Sequence, residues 1–366
     1  MNILAAQLSL QRKKLSPATM RVRRFDGSLL HFEAGKAVVE ADGELSHAVE
    51  QHLGFQFADS VWSEIPSQEP IELECKNNNS ANLAILTWNV WFATAFLHER
   101  SKALVQEAAE SGAHVLCFQE ATDTFISVLC KHPEIRKRFW VSNVRTKDSD
   151  RLAWPFYTCV VAVNVEYLRV LNWSRIDIPS TMGRHLWMLE TQQLIQPCLN
   201  STNSATAAAT RPTILRLITS HFESLDKGLS YRTIQRAITK RMLLSNLKES
   251  AAYNLIACGD CNTTEDEEED AFERLGFSDA WKHLKDEGKV EGDGSTIGVT
   301  YPSPQYRAQR FDRIVSFVGL GDAFVPVKYQ ELGSGAIEGL VSNKGGKVYP
   351  SDHLGVYVEY QLNKRE

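Results

Sequence analysis

Five short polar segments punctuate apolar, strand-like runs in this chain. They are Thr87-Trp88-Asn89, Phe118-Gln119-Glu120, Thr219-Ser220-His221, Gly259-Asp260-Cys261-Asn262 and Ser351-Asp352-His353. Repeated strand ends of Asn, Asp, Glu and His point to one polar site at one edge of a sheet sandwich. That residue mix binds a hard divalent cation and handles phosphate.

A phosphodiester resists attack because its oxygens are negative and its leaving alkoxide is poor. Hydrolysis needs a cation on the phosphate, an aligned water and a donor for the charge that builds. Glu120, Asn89 and Asp352 are the candidate metal ligands. Mg2+ prefers few carboxylates and keeps several waters, and Mn2+ is the second choice. A carboxylate at a buried strand end is costly unless paired or coordinated, although a solvent-facing Glu there is common. Asn89 can equally orient Glu120 or the phosphate, being both donor and acceptor. Asp260 and Asn262 alternate on an extended backbone and project to one side. Asp260 can hold or deprotonate water, and Asn262 can donate to a phosphate oxygen. His353 needs a carboxylate to fix its tautomer, and Asp312 in Phe311-Asp312-Arg313 is the candidate. His221, with Ser224 three residues on, is a second phosphate contact, and Arg184 and Arg232 are further ones. Singly, each reads as well as a turn residue, a structural histidine or a surface arginine. The case rests on the set.

The segments need elements to position them. Leu83–Trp88, Val115–Phe118, Phe156–Val163, Leu186–Thr191, Ile214–Ile218, Leu255–Cys258, Phe311–Phe317 and Val356–Tyr360 read as strands. Leu97–Ser111 has helical spacing and stops at Gly112, a typical helix-ending residue. Ser230–Leu247 is a long amphipathic helix with Ile234, Ile238, Met242 and Leu243 on one side. Residues 201–210 are low-complexity and read as a loop. Many strands, few long helices and no regular βαβ rhythm predict a four-layer α-β-β-α sandwich of two mixed sheets, not a doubly wound sheet.

Residues 1–75 read as a separate α+β module or extension. Strand-like runs flank Asp26-Gly27, a hairpin signal, and Leu45, Val49 and Leu53 give helical spacing over Glu44–Leu53. Pro66–Asn79 reads as a linker, with the main domain over 80–366.

The 366 residues are 43% hydrophobic and 23% charged, ordinary for a globular protein, and the formal net charge is −5. A broad basic surface for long nucleic acid is therefore not evident from totals. The seven cysteines lack regular spacing, which argues for reduced core thiols. Cys258 and Cys261 form a C-x-x-C without a second pair at zinc-site spacing. With no signal-like start and no run near the ~20 apolar residues of a membrane span, the expected setting is intracellular, nucleus or cytoplasm, with no membrane partner and a monomeric state.

In their order and strand context, the segments resemble the endonuclease/exonuclease/phosphatase superfamily, the DNase-I-like metal-dependent phosphodiesterases, over roughly residues 82–362. Ser220-His221-Phe222-Glu223-Ser224, Arg310-Phe311-Asp312-Arg313-Ile314 and Pro179-Ser180-Thr181-Met182-Gly183-Arg184 are similar to segments of its tyrosyl-DNA phosphodiesterase 2 branch. The resemblance implies hydrolysis of 5′-phosphotyrosyl DNA adducts left by topoisomerase II, with DNA 5′ ends as partner. It implies Glu120 at Mg2+ beside Asn89, Asp260 and Asn262 at water and phosphate, His353 stabilising the transition state, and His221 with Ser224 at phosphate oxygens. Two departures touch substrate grip. Thr263-Thr264-Glu265 stands where the branch has an Arg after the Asn, and Tyr301 stands in place of an aromatic-wall Trp. The acidic run Glu265–Asp270 reads as a solvated cap on the following helix. Alternatives on the same fold are a nuclease or deadenylase acting on RNA, or a small-molecule phosphodiesterase. A catalytically inactive DNA-end-binding module is a third reading.

Overall fold

The computed structural model describes residues 19–23, 29–33, 36–37, 49–52, 54–65, 67–71, 82–144, 157–194, 213–264, 266–302, 307–318 and 324–362. The chain divides into two units, Met1–Ala48 and Val49–Glu366. The first is a small antiparallel sheet of β1 (Thr19–Arg23), β2 (Leu29–Glu33) and β3 (Lys36–Ala37). Thr19 pairs with Glu33 and Arg23 with Leu29, the hairpin expected around Asp26-Gly27. The turn itself lies outside the described residues, as does the 201–210 segment.

The second unit contains, in order, β4 (Val49–His52), β5 (Gly54–Ala58), β6 (Val61–Ile65), β7 (Asn82–Asn89), α1 (Leu97–Glu110), β8 (Val115–Ala121), α2 (Asp123–Lys131), α3 (Pro133–Arg138), β9 (Phe139–Val141), β10 (Thr158–Asn164), β11 (Leu168–Asp177), β12 (His185–Gln193), β13 (Thr213–His221), α4 (Leu229–Leu244), β14 (Ala252–Asp260), β15 (Phe277–Asp279), α5 (Ala280–Asp286), β16 (Asp312–Phe317), β17 (Phe324–Leu332) and β18 (Gly355–Leu362). One sheet has eight strands in the order β17-β18-β7-β8-β10-β9-β5-β6. The other has seven, β15-β16-β14-β13-β12-β11-β4. Both are mixed, with β7–β8 and β13–β14 parallel.

Three apolar layers define the sandwich. The middle one lies between the sheets and includes Leu83, Ile85, Val115, Cys117, Leu217, Ile256 and Ile314. Leu86, Trp88 and Phe118 face the other way, onto Leu104, Val105 and Ala108 of α1 and Phe125 and Leu129 of α2. Strand alternation explains how Ile85 and Leu86 serve different layers. On the second sheet, Ile218, Leu255 and Ala257 meet Ile238, Met242 and Leu243 of α4. This is the expected four-layer sandwich. Helix α1 ends as predicted, with Gly112 at φ +77°. Cys117, Cys130, Cys159, Cys258 and Cys261 are buried free thiols.

The N-terminal expectation needs correction. No helix covers Val49–His52. It is a strand whose residues pair with Trp173–Ile176 of β11. Apolar spacing over so short a run does not separate helix from strand, and here a β11 edge with backbone groups to satisfy decides it. β5 and β6 likewise extend the eight-stranded sheet, pairing through Phe55 to Val141. The unit boundary therefore falls after Ala48 and not near residue 75. The start of the expected linker is also held, since Gln68 N–H donates to Leu171 O and Ile71 N–H to Gln192 Oε1.

The topology explains why the polar segments converge. Parallel pairing brings the C-terminal ends of β7 and β8 to one edge, with Asn89 opposite Gln119. It does the same for β13 and β14, with His221 opposite Asp260. Their antiparallel neighbours contribute their beginnings at that edge. Asp312 opens β16 opposite Asp260, and His353 stands two residues before β18. The strands approach closely at Gly259, where φ is +135° and an added Cβ would sit 2.0 Å from Ser220 O. Gly259→Ala is expected to destabilise by about 3 kcal/mol, the overpacking range, read as a lowered midpoint in urea unfolding. An unchanged midpoint would contradict that packing.

Candidate active site

Asp260 is the hub. Its Oδ2 accepts from Asn89 Nδ2 at 2.9 Å and lies 3.3 Å from His221 Nε2 and 4.0 Å from His353 Nε2. Its Oδ1 accepts from the Asn262 backbone N–H at 2.9 Å. His353 Nδ1 meets Asp312 Oδ2 at 2.7 Å, and Thr296 Oγ1 donates to the same oxygen at 2.7 Å. Glu120 stands alongside, with Oε2 accepting from Phe92 N–H at 3.0 Å and Oε1 3.9 Å from His221 Nε2. Ser351 Oγ donates to Asn89 O at 2.6 Å and Trp88 Nε1 to His353 O at 3.0 Å, tying the first and last segments together.

Three residues here hold backbone conformations that side chains usually avoid. Glu120, Trp91 and Asn262 have φ of +56°, +59° and +45°. Each such residue costs on the order of 1–3 kcal/mol, and such strain clusters where a side chain must be aimed. At Glu120 the reversal falls inside β8, where the pairing with β10 is irregular between Phe118 and Ala121.

The electrostatics differ from group to group. Burial pushes Glu120 up to about 7, reinforced by the charge of Asp352. Burial likewise raises the half-buried Asp352. Burial alone would raise Asp260 too, but His221, His353, the Asn89 amide and the Asn262 N–H hold it below the usual carboxylate range. Burial and then Arg184 push His221 well below its ordinary value. His221 is thus neutral. Its Nδ1 accepts from Arg184 Nη1 at 2.8 Å, so the proton sits on Nε2, facing Asp260. Burial opposes charge on His353 as well, yet Asp312, with Asp260 and Asp352 behind it, raises it well above the ordinary imidazole value. The two histidines therefore differ: one is a neutral donor, the other a cation.

Of the expected phosphate contacts, Arg184 and Ser224 join the site, with Arg184 Nη2 donating to Ser224 Oγ at 3.0 Å and Nη1 to Tyr157 OH at 3.2 Å. Tyr301 packs its ring 5.2 Å from that of Trp91. Asn262 is present, but its side-chain N–H donates to Phe222 O at 3.1 Å. Asn89 has both amide atoms engaged, Nδ2 with Asp260 and Oδ1 with the Trp91 N–H. Arg232 is not available to a phosphate. It is fully buried and pairs with Glu268 at 2.6 Å, while donating to Glu223 O, Leu225 O and Thr264 Oγ1. The acidic run is solvated only in part, with Asp266 and Asp270 exposed and Glu268 buried, and the following helical turn has no side-chain cap. Glu268 holds Arg232 and Arg236, and Glu269 holds Arg310 and Arg313. Arginines spread over α4 and the start of β16 pull those carboxylates inward, and sequence distance hid them.

Several contributors carried little sequence signal. Arg100, 1% exposed, donates to the carbonyls of Val90, Trp91, Ala95 and Pro350 and so fixes both the loop after β7 and the turn before Ser351. Glu223 receives Ser180 Oγ, Thr181 N–H and Thr181 Oγ1, which anchors the segment leading to Arg184. Phe92 stacks on Tyr157 at 4.9 Å. Glu120, Tyr157, Met182, Arg184 and His221 line one cleft.

Asp260, Asp312 and His353 offer ligand atoms all within 4.8 Å of one another, a cluster able to hold a metal ion. Within it, His353 Nδ1 and Asp312 Oδ2 already bond each other. Glu120 and Asp352 are different: the charge of Asp352 adds to burial in raising Glu120, and that of Asp260 adds to burial in raising Asp352, while Glu120 Oε1 lies 3.9 Å from His221 Nε2. A hard divalent cation fits this oxygen-rich donor set and relieves that repulsion.

The sequence pattern of the Endonuclease/Exonuclease/phosphatase family matches residues 86–353, which contain every one of these side chains. The chain belongs to this family. Comparison with curated proteins gives no match. Among solved structures, D. rerio TDP2 complexed with single-strand DNA product superimposes with a TM-score of 0.58 at 21% identity, covering 77% of this chain and 100% of that one. Truncated Caenorhabditis elegans TDP2 gives 0.57 at 19% identity, covering 77% and 98%. The human Nocturnin catalytic domain with bound sulfate gives 0.53 at 17%, covering 77% and 94%. These likenesses establish a shared family fold. No described helix is long and apolar enough to cross a membrane.

Proposed function

We propose that the chain is a divalent-metal-dependent phosphodiesterase of the nuclease type. The observation that carries the reading is the hub: an Asp260 carboxylate held ionised between a neutral His221 and a cationic His353, beside Glu120 and Asp352. Asp260 holds the attacking water in line by accepting its hydrogen bond. A carboxylate kept this acidic is a better anchor than base. His353, charged and fixed by Asp312, donates from Nε2 to the phosphate oxygens as negative charge builds. His221 Nε2–H and the Arg184–Ser224 pair supply further donors. Glu120 and Asp352 would hold a divalent cation, Mg2+ by preference, which would supply charge neutralisation when bound. Water's oxygen bonds to phosphorus and loses a proton to solvent, the ester P–O bond breaks, and the departing alkoxide takes up a proton from solvent.

A second reading narrows the substrate to a 5′-phosphotyrosyl DNA end. The specific support is the Ser220–Ser224, Pro179–Arg184 and Arg310–Ile314 segments, which meet around Glu223, Arg184 and Asp312. A nuclease or deadenylase activity on RNA uses the same chemistry. Turnover of bis(p-nitrophenyl) phosphate, poly(A) and a 5′-tyrosyl oligonucleotide, each with Mg2+, Mn2+ or EDTA, separates these. Hydrolysis abolished by EDTA is expected for at least one. Metal-independent turnover, or none on any substrate, would overturn the proposal.

A further inference from the structure

Leu225 holds a backbone conformation that a side chain makes costly. Its φ of +70° and ψ of +160° fall in a region that essentially only glycine occupies. Phe96, also at positive φ, is the milder case, at φ +51° and ψ +28° in the left-handed helical well.

The surroundings over-determine this turn. The Leu225 carbonyl accepts from Arg232 Nη1 at 2.7 Å and from Gly228 N–H at 2.9 Å. Arg232 is itself fully buried against Glu268, and its Nη1 also donates to Glu223 O at 3.1 Å. Gly228 fits with nothing to spare, since an added Cβ would lie 2.8 Å from Arg232 Nη1 and 3.1 Å from Glu223 O. Glu223 N–H donates to Gln235 Oε1 at 2.9 Å, which fixes the start of the loop to α4.

Glycine at 225 would meet every one of these backbone demands without strain. Leucine keeps the strain and gains little packing to offset it, because the residue is 54% exposed. A single exposed leucine is ordinary; one held in a glycine conformation is not. Such strain persists where a side chain is presented to a ligand. The place of Leu225 indicates which ligand. Ser224, one residue earlier, receives Arg184 Nη2 at 3.0 Å, and Arg184 lines the cleft with Glu120 and His221. A side chain without charge or hydrogen-bonding atoms, next to a phosphate contact, suits the apolar face of a group esterified to that phosphate.

Resting on the phosphodiesterase reading, we propose that Leu225 is a specificity-determining contact for a nucleoside esterified to the scissile phosphate. The side chain covers the apolar face of the sugar or base while the polar centre handles the phosphate.

The test measures wild type, Leu225→Ala and Leu225→Gly on thymidine 5′-(p-nitrophenyl) phosphate and on methyl p-nitrophenyl phosphate with Mg2+. Both esters release the same nitrophenolate and differ only in the group retained. The ratio of kcat/KM for the nucleoside ester to that for the methyl ester should fall by about 4- to 12-fold in both variants, the worth of burying half a leucine side chain. The loss should appear as a raised KM for the nucleoside ester, as for a contact made alike before and during the reaction. Leu225→Met, apolar and similar in size, should return the ratio to within about twofold of wild type. In urea, Leu225→Gly should unfold at a higher midpoint than Leu225→Ala, because only glycine relieves the positive φ. An unchanged ratio in both truncations, equal losses on the two esters, or a higher midpoint for Leu225→Ala overturns the proposal. Hydrolysis of neither ester by wild type overturns the phosphodiesterase reading, and this contact with it.

Discussion

Asp260→Asn is expected to lower kcat by about 10²–10⁴-fold, the range for losing a group that handles a proton or water in the transition state. Asn keeps the size of Asp but offers one oxygen where two accept, and turns an N–H toward donors. The three donors around Asp260 were set for an anion: Asn89 Nδ2, Asn262 N–H and His221 Nε2. The neutral side chain can no longer draw a water into line, while the nearby Glu120 and Asp352 carboxylates are untouched. Metal affinity, measured by titrating Mn2+ against activity or by calorimetry, should therefore change much less than kcat. Turnover within tenfold of wild type, in a variant with unaltered near-ultraviolet dichroism, would remove Asp260 from the centre of the reaction.

The second large effect concerns Asp312, whose side chain is 0% exposed against His353 at 6%. Asp312→Ala strands a cationic imidazole in the interior, and breaking a buried pair this way costs about 3–5 kcal/mol. Asp312→Asn preserves shape and removes the charge alone. The sign follows from the raised value of His353. A group whose folded value lies above its unfolded one stabilises fully below the unfolded value, about 6.5 for histidine. That contribution is lost as pH rises through the folded value. The Tm gap between wild type and Asp312→Asn should thus be widest below pH 6.5 and narrow on the alkaline side. A gap independent of pH from 5 to 10 would mean that the pair carries no extra proton. His353→Ala should lower kcat by about 10²–10³-fold, as for other single donors to a transition-state oxyanion.

The parts of this molecule visible in the sequence were those set by local pattern. Apolar runs ending in Asn89, Glu120, His221 and Asp260 marked both strands and site, because parallel strands bring such ends to one edge. The sandwich followed from the same runs. What stayed hidden depends on partners far along the chain. Arg232 reads as a surface cation until Glu268, 36 residues away, is folded against it. Nothing in the residue type of Asn262 announces that Phe222 O takes one of its two amide N–H groups. Val49–His52 reads as helix until the edge of β11 recruits it as a strand. Arg100 and Glu223 act on backbone carbonyls and hydroxyls whose positions no residue type announces.

The polar centre is shared between the two sheets. Asn89, Glu120 and His353 belong to the eight-stranded side, and His221, Asp260 and Asp312 to the seven-stranded side. Asn89–Asp260 at 2.9 Å, His353–Asp312 at 2.7 Å and Gln119–Thr219 at 3.2 Å are stitches across that seam. The middle apolar layer therefore acts as a spacer that sets the distances between these side chains. A bulkier or smaller side chain at Cys117, Leu217 or Ile256 would widen or tilt the gap far from any reacting atom. Activity then works as a calliper on sandwich thickness, and on heating it should fade as the sheets begin to part, before either sheet melts.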